Sequence, residues 1–192
     1  MSLTLLQTEV AIKFVKDQFE KELARLLKLT RVSAPLFVRP ESGLNDNLNG
    51  VERPVSFDAN GVAGNLEIVQ SLAKWKRSAL ARYGFTEGTG LYTDMNAIRR
   101  DESADALHSY YVDQWDWEKI IHKEDRNIET LKETVTTVYN CLRKTEKYMA
   151  IQYDYIEEIL PHDIFFITTQ ELEEMFPDNT PKEREYYLSL IH

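Results

Sequence analysis

Two alternating runs, GLYTDMNAIRR (90–100) and HSYYVDQWDWE (108–118), flank a polar loop from Asp101 to Ala106. They predict an antiparallel strand pair, and they constrain this chain more than any other feature because successive strand side chains point to opposite faces. Tyr110, Val112, Gln114, Asp116 and Glu118 then share one side of the second strand, and Asp113, Trp115 and Trp117 take the other. The tryptophan side suits packing against a helix. The side carrying Gln114 and Asp116 two residues apart is too polar for core and faces either a polar pocket or solvent. Arg99 and Arg100 end the first strand, and only one of them can point to that polar side. A guanidinium fork there could read a phosphate or carboxylate bidentately, although paired arginines at a strand end are often simply solvated.

Around this pair the chain reads as a mixture of helices and short strands. Val10, Phe14, Val15, Phe19, Leu23, Leu26 and Leu27 recur near the 3.6-residue period and predict an amphipathic helix over 7–28. VSAPLFVRP (32–40) is extended in character, but Pro35 and Pro40 cannot donate ladder hydrogen bonds and favour an edge. ESGLNDNLNG (41–50) is a loop, and PVSFD (54–58), Asn60-Gly61 and NLEIVQ (65–70) predict a hairpin. Ser71 can cap the next helix, LAKWKRSALARY, which Gly84 stops. Leu131, Val135, Val138, Leu142 and Met149 mark a long helix over 125–150, with Cys141 beside its stripe as a packed thiol. IFFITT (164–169) reads as a short buried strand, and Thr168/Glu171 and Thr180/Glu183 as capping boxes opening two more helices. With no repeat and no linker, one continuous α+β domain is the simplest organisation.

Composition removes several classes of function. A formal net charge of −9 argues against the basic face that nucleic-acid binding needs. Cys141 is the only cysteine, which excludes an intrachain disulfide and a thiolate metal cluster and fits a reducing cytoplasm. No run of 18 uncharged apolar residues occurs, so neither a signal peptide nor a membrane span is supported. His108, His122, His162 and His192 lack ligand spacing, and no G-x-S-x-G elbow is present. In KWKR (74–77), Lys74 and Arg77 share a helical face while Lys76 points about 160° around from Lys74, so one base could enter a pocket while the others stay in water. Asp46 in the 41–50 loop reads, by itself, as a turn former.

SLAKWKR (71–77), GLYTDMNAIRRDE (90–102) and HSYYVDQWDWE (108–118), supported by DNLNG (46–50) and FFITTQEL (165–172), resemble the signature stretches of ammonia-dependent asparagine synthetase. This family of AMP-forming aspartate–ammonia ligases is built on the catalytic fold of class II aminoacyl-tRNA synthetases. The first helix with Val32 to Phe37 resembles the dimer-forming motif of that fold, and Arg99-x-Asp101 with residues 111–118 resembles its ATP-binding strand pair. The resemblance implies an antiparallel sheet flanked by helices, a homodimer, a cytoplasmic enzyme, and L-aspartate, ammonia and ATP as substrates with Mg²⁺. Matched by position, it implies catalytic roles for Arg99, Gln114 and Asp46, with Arg99 on the α-phosphate. Asp46, Ser71, Lys76, Gln114 and Asp116 would bind aspartate, and Leu107, Ser109 and Val112 would lie near the adenylate. Which carboxylate holds the substrate ammonium stays open. The family's chain continues into a glycine-rich segment with a second essential arginine, whereas the last of the seven glycines here is Gly90. Residues 1–192 are therefore expected to be the N-terminal part of a single catalytic domain, truncated before its C-terminal part and lacking full ligase activity alone. A non-catalytic domain that senses an amino acid or nucleotide is the alternative.

Overall fold

The computed structural model describes residues 3–46, 48, 50–105 and 108–190, with side chains to residue 188. The chain divides into two compact units, Met1–Ile156 and Glu157–His192.

In the first unit, helix α1 (Leu5–Leu27) opens with a capping box in which Thr4 and Gln7 satisfy each other's backbone N–H groups. It ends at Lys28, whose positive φ of 57° turns the chain into strand β1 (Leu29–Arg31). The extended reading of 32–40 is corrected. Within it only β2 (Phe37–Val38) is a strand, β1 having ended at Arg31, and residues 33–36 around Pro35 lie outside any strand. β2 lies at the edge of its sheet, as a proline-rich segment favours. Strands β3 (Ser56–Phe57) and β4 (Leu66–Ile68) form the expected hairpin, with Ser56 opposite Glu67. Asn60-Gly61 supplies one tight turn of its loop, closed by the Val62 N–H on Ala59 O at 3.0 Å, with Gly61 at φ 79°.

Helix α2 (Ala73–Arg82) leads into the long pair β5 (Gly90–Ile98) and β6 (Tyr111–Lys119). Their antiparallel register runs from Gly90 opposite Lys119 to Ile98 opposite Tyr111. β1 adds to β5 in parallel, so the sheet order is β1-β5-β6, and β2-β4-β3 form a second sheet. Helix α3 (Ile128–Gln152) begins at Asn127, whose side chain accepts the Thr130 N–H at 2.8 Å.

The β5–β6 pair separates two cores. On one face Leu91, Met95 and Ala97 pack with Leu72, Trp75, Ala79 and Leu80 at α2 and with Val38 and Val69. Each fully buried leucine contributes about 2 kcal/mol. On the other face Trp115 and Trp117 meet Leu23 and Leu27 of α1 and Cys141 of α3, with the Phe19 ring edge-on to Trp115 at 5.9 Å. Burial pushes the Cys141 thiol pKa up, in keeping with a packed structural cysteine. Only part of the stripe expected on the first helix is covered. Leu23 and Leu27 are buried, whereas Val10, Val15 and Leu26 are exposed.

In the second unit, α4 (Thr169–Met175) and α5 (Pro181–Leu190) both start at the expected capping boxes. The buried strand read at 164–169 is a correction. Residues 164–168 run as irregular chain up to the Thr168 cap, and Phe165 is 65% exposed. Apolar β-branched composition favours a strand only where a neighbour takes its N–H and C=O groups, and no described strand lies beside this segment.

Candidate functional site

The polar side of β6 is built from both ends of the sheet. Val112, Gln114, Asp116 and Glu118 stand opposite Ala97, Met95, Thr93 and Leu91, on the α2 side. The Arg99 N–H continues the ladder onto Tyr110 O at 2.7 Å. Arg99 therefore follows Ala97 by two and shares the face of Gln114 and Asp116. At about 3.4 Å per residue, Arg99 and Asp116 lie roughly 20 Å apart along that face, with Gln114 between.

Lys76 closes the Asp116 end. Ser71 accepts the Ala73 N–H on its hydroxyl at 3.2 Å, one residue outside the cap position held by Leu72, and starts α2 on the sheet. The helix then turns Lys76 inward while Lys74 and Arg77 stay exposed. Only 6% of Lys76 remains exposed. Its ammonium donates to Asp116 Oδ1 at 2.5 Å and to Trp117 O at 3.0 Å, and lies 3.5 Å from Glu118 Oε2. Arg77 Nε, on an exposed side chain, lies 3.6 Å from Glu118 Oε1. The buried Lys76 thus serves two carboxylates, and Arg77 balances Glu118 from the exposed side, so the four side chains offset one another in charge.

The remaining expected residues lie further along β6 or on other segments. Asp46 is half-buried in the loop between β2 and β3. Its neighbour Asn45 accepts the Gln70 N–H at 2.9 Å and donates to Glu67 Oε2 at 3.1 Å and Ile68 O at 3.3 Å. Gln114 is exposed, Val112 packs half-buried beside the α2 core, and exposed Ser109 accepts the Tyr111 N–H at 3.3 Å. Leu107 lies outside the described residues. Beyond Arg99, Asp101 accepts the Arg53 backbone N–H at 2.8 Å and its guanidinium through Nε at 3.1 Å and through Nη2. That pairing holds the Asp101 carboxyl down at about 2. A hollow of about 570 Å³ lined by Trp117, Ile121 and Leu131 lies on the opposite, tryptophan face of β6.

Sequence reasoning passed over Glu118, Asn45 and Arg53. Glu118 carried a usable signal, since it repeats the two-residue period of Gln114 and Asp116 beside a buried lysine. Asn45 and Arg53 act through side-chain pairings across 22 to 48 residues, which no local pattern reveals.

The family model described as Aspartate-ammonia ligase matches residues 6–191. An aspartate--ammonia ligase of Ruminiclostridium cellulolyticum is 64% identical over 189 residues, covering 98% of this chain and 56% of that protein. One from Clostridium perfringens is 65% identical over 184 residues, covering 95% and 55%. The chain thus spans about half the length of the curated relatives it matches. Among solved structures, an asparaginyl-tRNA synthetase of Entamoeba histolytica in complex with asparaginyl-adenylate aligns with a TM-score of 0.58 at 13% identity, over 88% of this chain and 34% of that one. The aspartyl-tRNA synthetase of the same organism aligns with a TM-score of 0.55 at 15% identity, over 96% and 35%. At such identities the likeness is one of fold, that of class II synthetases, and the sensing-domain alternative draws no support from any of these relatives. The chain belongs to the aspartate–ammonia ligase family.

Proposed function

We propose that residues 1–192 form the N-terminal part of one catalytic domain, contributing the aspartate end and part of the nucleotide end of an ATP-dependent aspartate–ammonia ligase. The observation that carries this reading is the buried Lys76–Asp116 pair on the face that Gln114 and Arg99 share. L-Aspartate is a zwitterion with one extra carboxylate. When it enters, its ammonium takes the Asp116 side and a carboxylate takes the Lys76 side, so each buried charge exchanges one partner for another and none is left alone. Asp116 and Asp46 are the two carboxylates available to the ammonium.

At the other end Arg99 is a fixed cation for the α-phosphate of ATP, with Ser109, Val112 and Leu107 near the adenylate. The β-carboxylate oxygen attacks the α-phosphorus, and pyrophosphate leaves with the electron pair of the broken P–O bond. Ammonia then attacks the acyl carbon of the mixed anhydride, AMP leaves on its phosphate oxygen, and one proton is lost from nitrogen to give asparagine. Gln114, between the two ends, hydrogen-bonds the reacting carboxyl group and aligns it. Among the described residues no three His, Cys, Asp or Glu side chains converge on a metal position. Mg²⁺ that arrives on the nucleotide phosphates with its own waters needs no such cage.

The exposed apolar residues Leu5, Ile12 and Val15, which share one side of α1, and Leu36 and Phe37 of the proline segment support a homodimer. No helix among the described residues is long and apolar enough to cross a membrane, and a lone buried Cys141 suits the cytoplasm. The reading is tested by aspartate-dependent exchange of labelled pyrophosphate into ATP, and by asparagine and AMP formation on adding ammonium. Exchange that depends on L-aspartate supports it; turnover yielding ADP instead of AMP contradicts it.

A further inference from the structure

We propose that Asn45 is a positioning residue for the aspartate site: its side-chain amide fixes the loop carrying Asp46 to β4 and to the entry of α2. This inference rests on the reading of Asp46 and Lys76 given under Proposed function. The loop between β2 and β3 has little regular structure to place its side chains, beyond a 3-10 turn at Pro40–Ser42. Asn45 supplies what is missing. Its Oδ1 accepts the N–H of Gln70, a residue 1% exposed, at 2.9 Å, and its Nδ2 donates to Glu67 Oε2 at 3.1 Å and Ile68 O at 3.3 Å. Its own carbonyl accepts Lys74 Nζ at 3.4 Å.

The chemistry needs asparagine. A backbone N–H, a backbone carbonyl and a carboxylate are read together, so one planar group must accept on one side and donate twice on the other. Ionised aspartate cannot donate and would face Glu67, alanine makes none of the three bonds, and glutamine sets the amide one methylene further from the backbone. The same strand end runs through Gln70 and Ser71 into α2, which presents Lys76 five residues after Ser71. Asn45 therefore ties the acid before the site to the element that carries its base. Asp46 is the next residue in the chain, so any shift of Asn45 is passed to it across one peptide unit.

The test combines a ligand-binding cycle with a ligand-free measurement on the 192-residue chain. L-Aspartate affinity is measured by calorimetry for the wild type, Asn45→Ala, Asp46→Asn and the double variant. Asn45→Ala is expected to weaken binding about tenfold in the wild-type background and to add nothing in the Asp46→Asn background, because it acts through Asp46. Equal weakening by Asn45→Ala in both backgrounds, or unchanged affinity, overturns the proposal. Hydrogen exchange decides separately on the staple: the Gln70 amide must exchange faster in Asn45→Ala, and unchanged exchange there overturns the proposal even if the wild type binds no aspartate. Absence of wild-type binding with faster Gln70 exchange in the variant refutes the aspartate reading and leaves the staple supported.

Discussion

The ammonium of Lys76, on α2, sits 2.5 Å from Asp116 Oδ1, on β6, with the lysine almost wholly withdrawn from water. Burying a lysine costs stability unless its charge is met, and here it is met by two carboxylates and the Trp117 carbonyl. An apolar side chain of the same length would pack there at least as stably with its partners removed, so folding alone does not call for this lysine, in keeping with the recognition role proposed for it.

Replacing Lys76 by methionine keeps the stem and leaves Asp116 without its cation, while Glu118 retains Arg77. We expect a loss of about 3 kcal/mol in urea unfolding, since one member of a buried pair is removed while the other stays charged. Adding Asp116→Asn should recover part of that loss. Recovery of none would mean that the two side chains are not coupled.

Gly90 opens β5 against Lys119, and a Cβ there would meet Glu118 O at 2.3 Å and Lys119 Cα at 2.8 Å. Both are backbone atoms, so no side-chain rotation relieves the contact. Gly90→Ala should cost about 1–3 kcal/mol in the same unfolding experiment, by forcing the end of the strand pair apart.

Asp101 is held at about 2 first by the hydrogen bonds from the Arg53 guanidinium and then by that from its backbone N–H. A folded-state pKa below the unfolded value means that the pairing stabilises the protein above pH 4 and is lost as pH falls through 2. In a carboxyl NMR titration Asp101 should change near pH 2 in the wild type and at higher pH in Arg53→Ala, below its ordinary value of about 3.9 because the backbone N–H of residue 53 still donates.

The Tyr92 hydroxyl donates to Glu20 at 2.8 Å, and its pKa is pushed up to about 12, first by burial and then by that carboxylate. The sign is opposite to that of Asp101: the contribution is complete below pH 10 and fades as pH rises toward 12. Ultraviolet titration should show one tyrosine ionising late, and Glu20→Gln should bring it earlier.

The order of elements was readable because each carried a local signal. The two-residue alternation of 108–118 placed Gln114 and Asp116 together and sent Trp115 and Trp117 to the helices, and the capping boxes at Thr168 and Thr180 opened the last two helices. The misreading of 164–169 has a physical cause, because composition reports the fitness of a segment for a strand but not whether a partner strand exists. Pro35 likewise marked an edge but did not reveal that only Phe37–Val38 of its segment would pair as a strand. At the site, helical geometry turned Lys76 away from Lys74, yet its distance from Asp116 depends on how α2 crosses the sheet. Asn45 and Arg53 entered only through such long-range contacts, whereas Glu118 was placed by the two-residue period and gained its partners from the packing of α2.

The central claim is that the Lys76–Asp116 pair receives the substrate zwitterion. It is tested most directly by NMR, following the Lys76 ammonium and the Asp116 carboxyl while L-aspartate is added. Saturable shifts of both groups and of the Gln114 amide are expected with L-aspartate, absent with L-leucine and abolished by Asp116→Asn. L-Aspartate that binds and leaves these three groups unmoved would contradict the assignment.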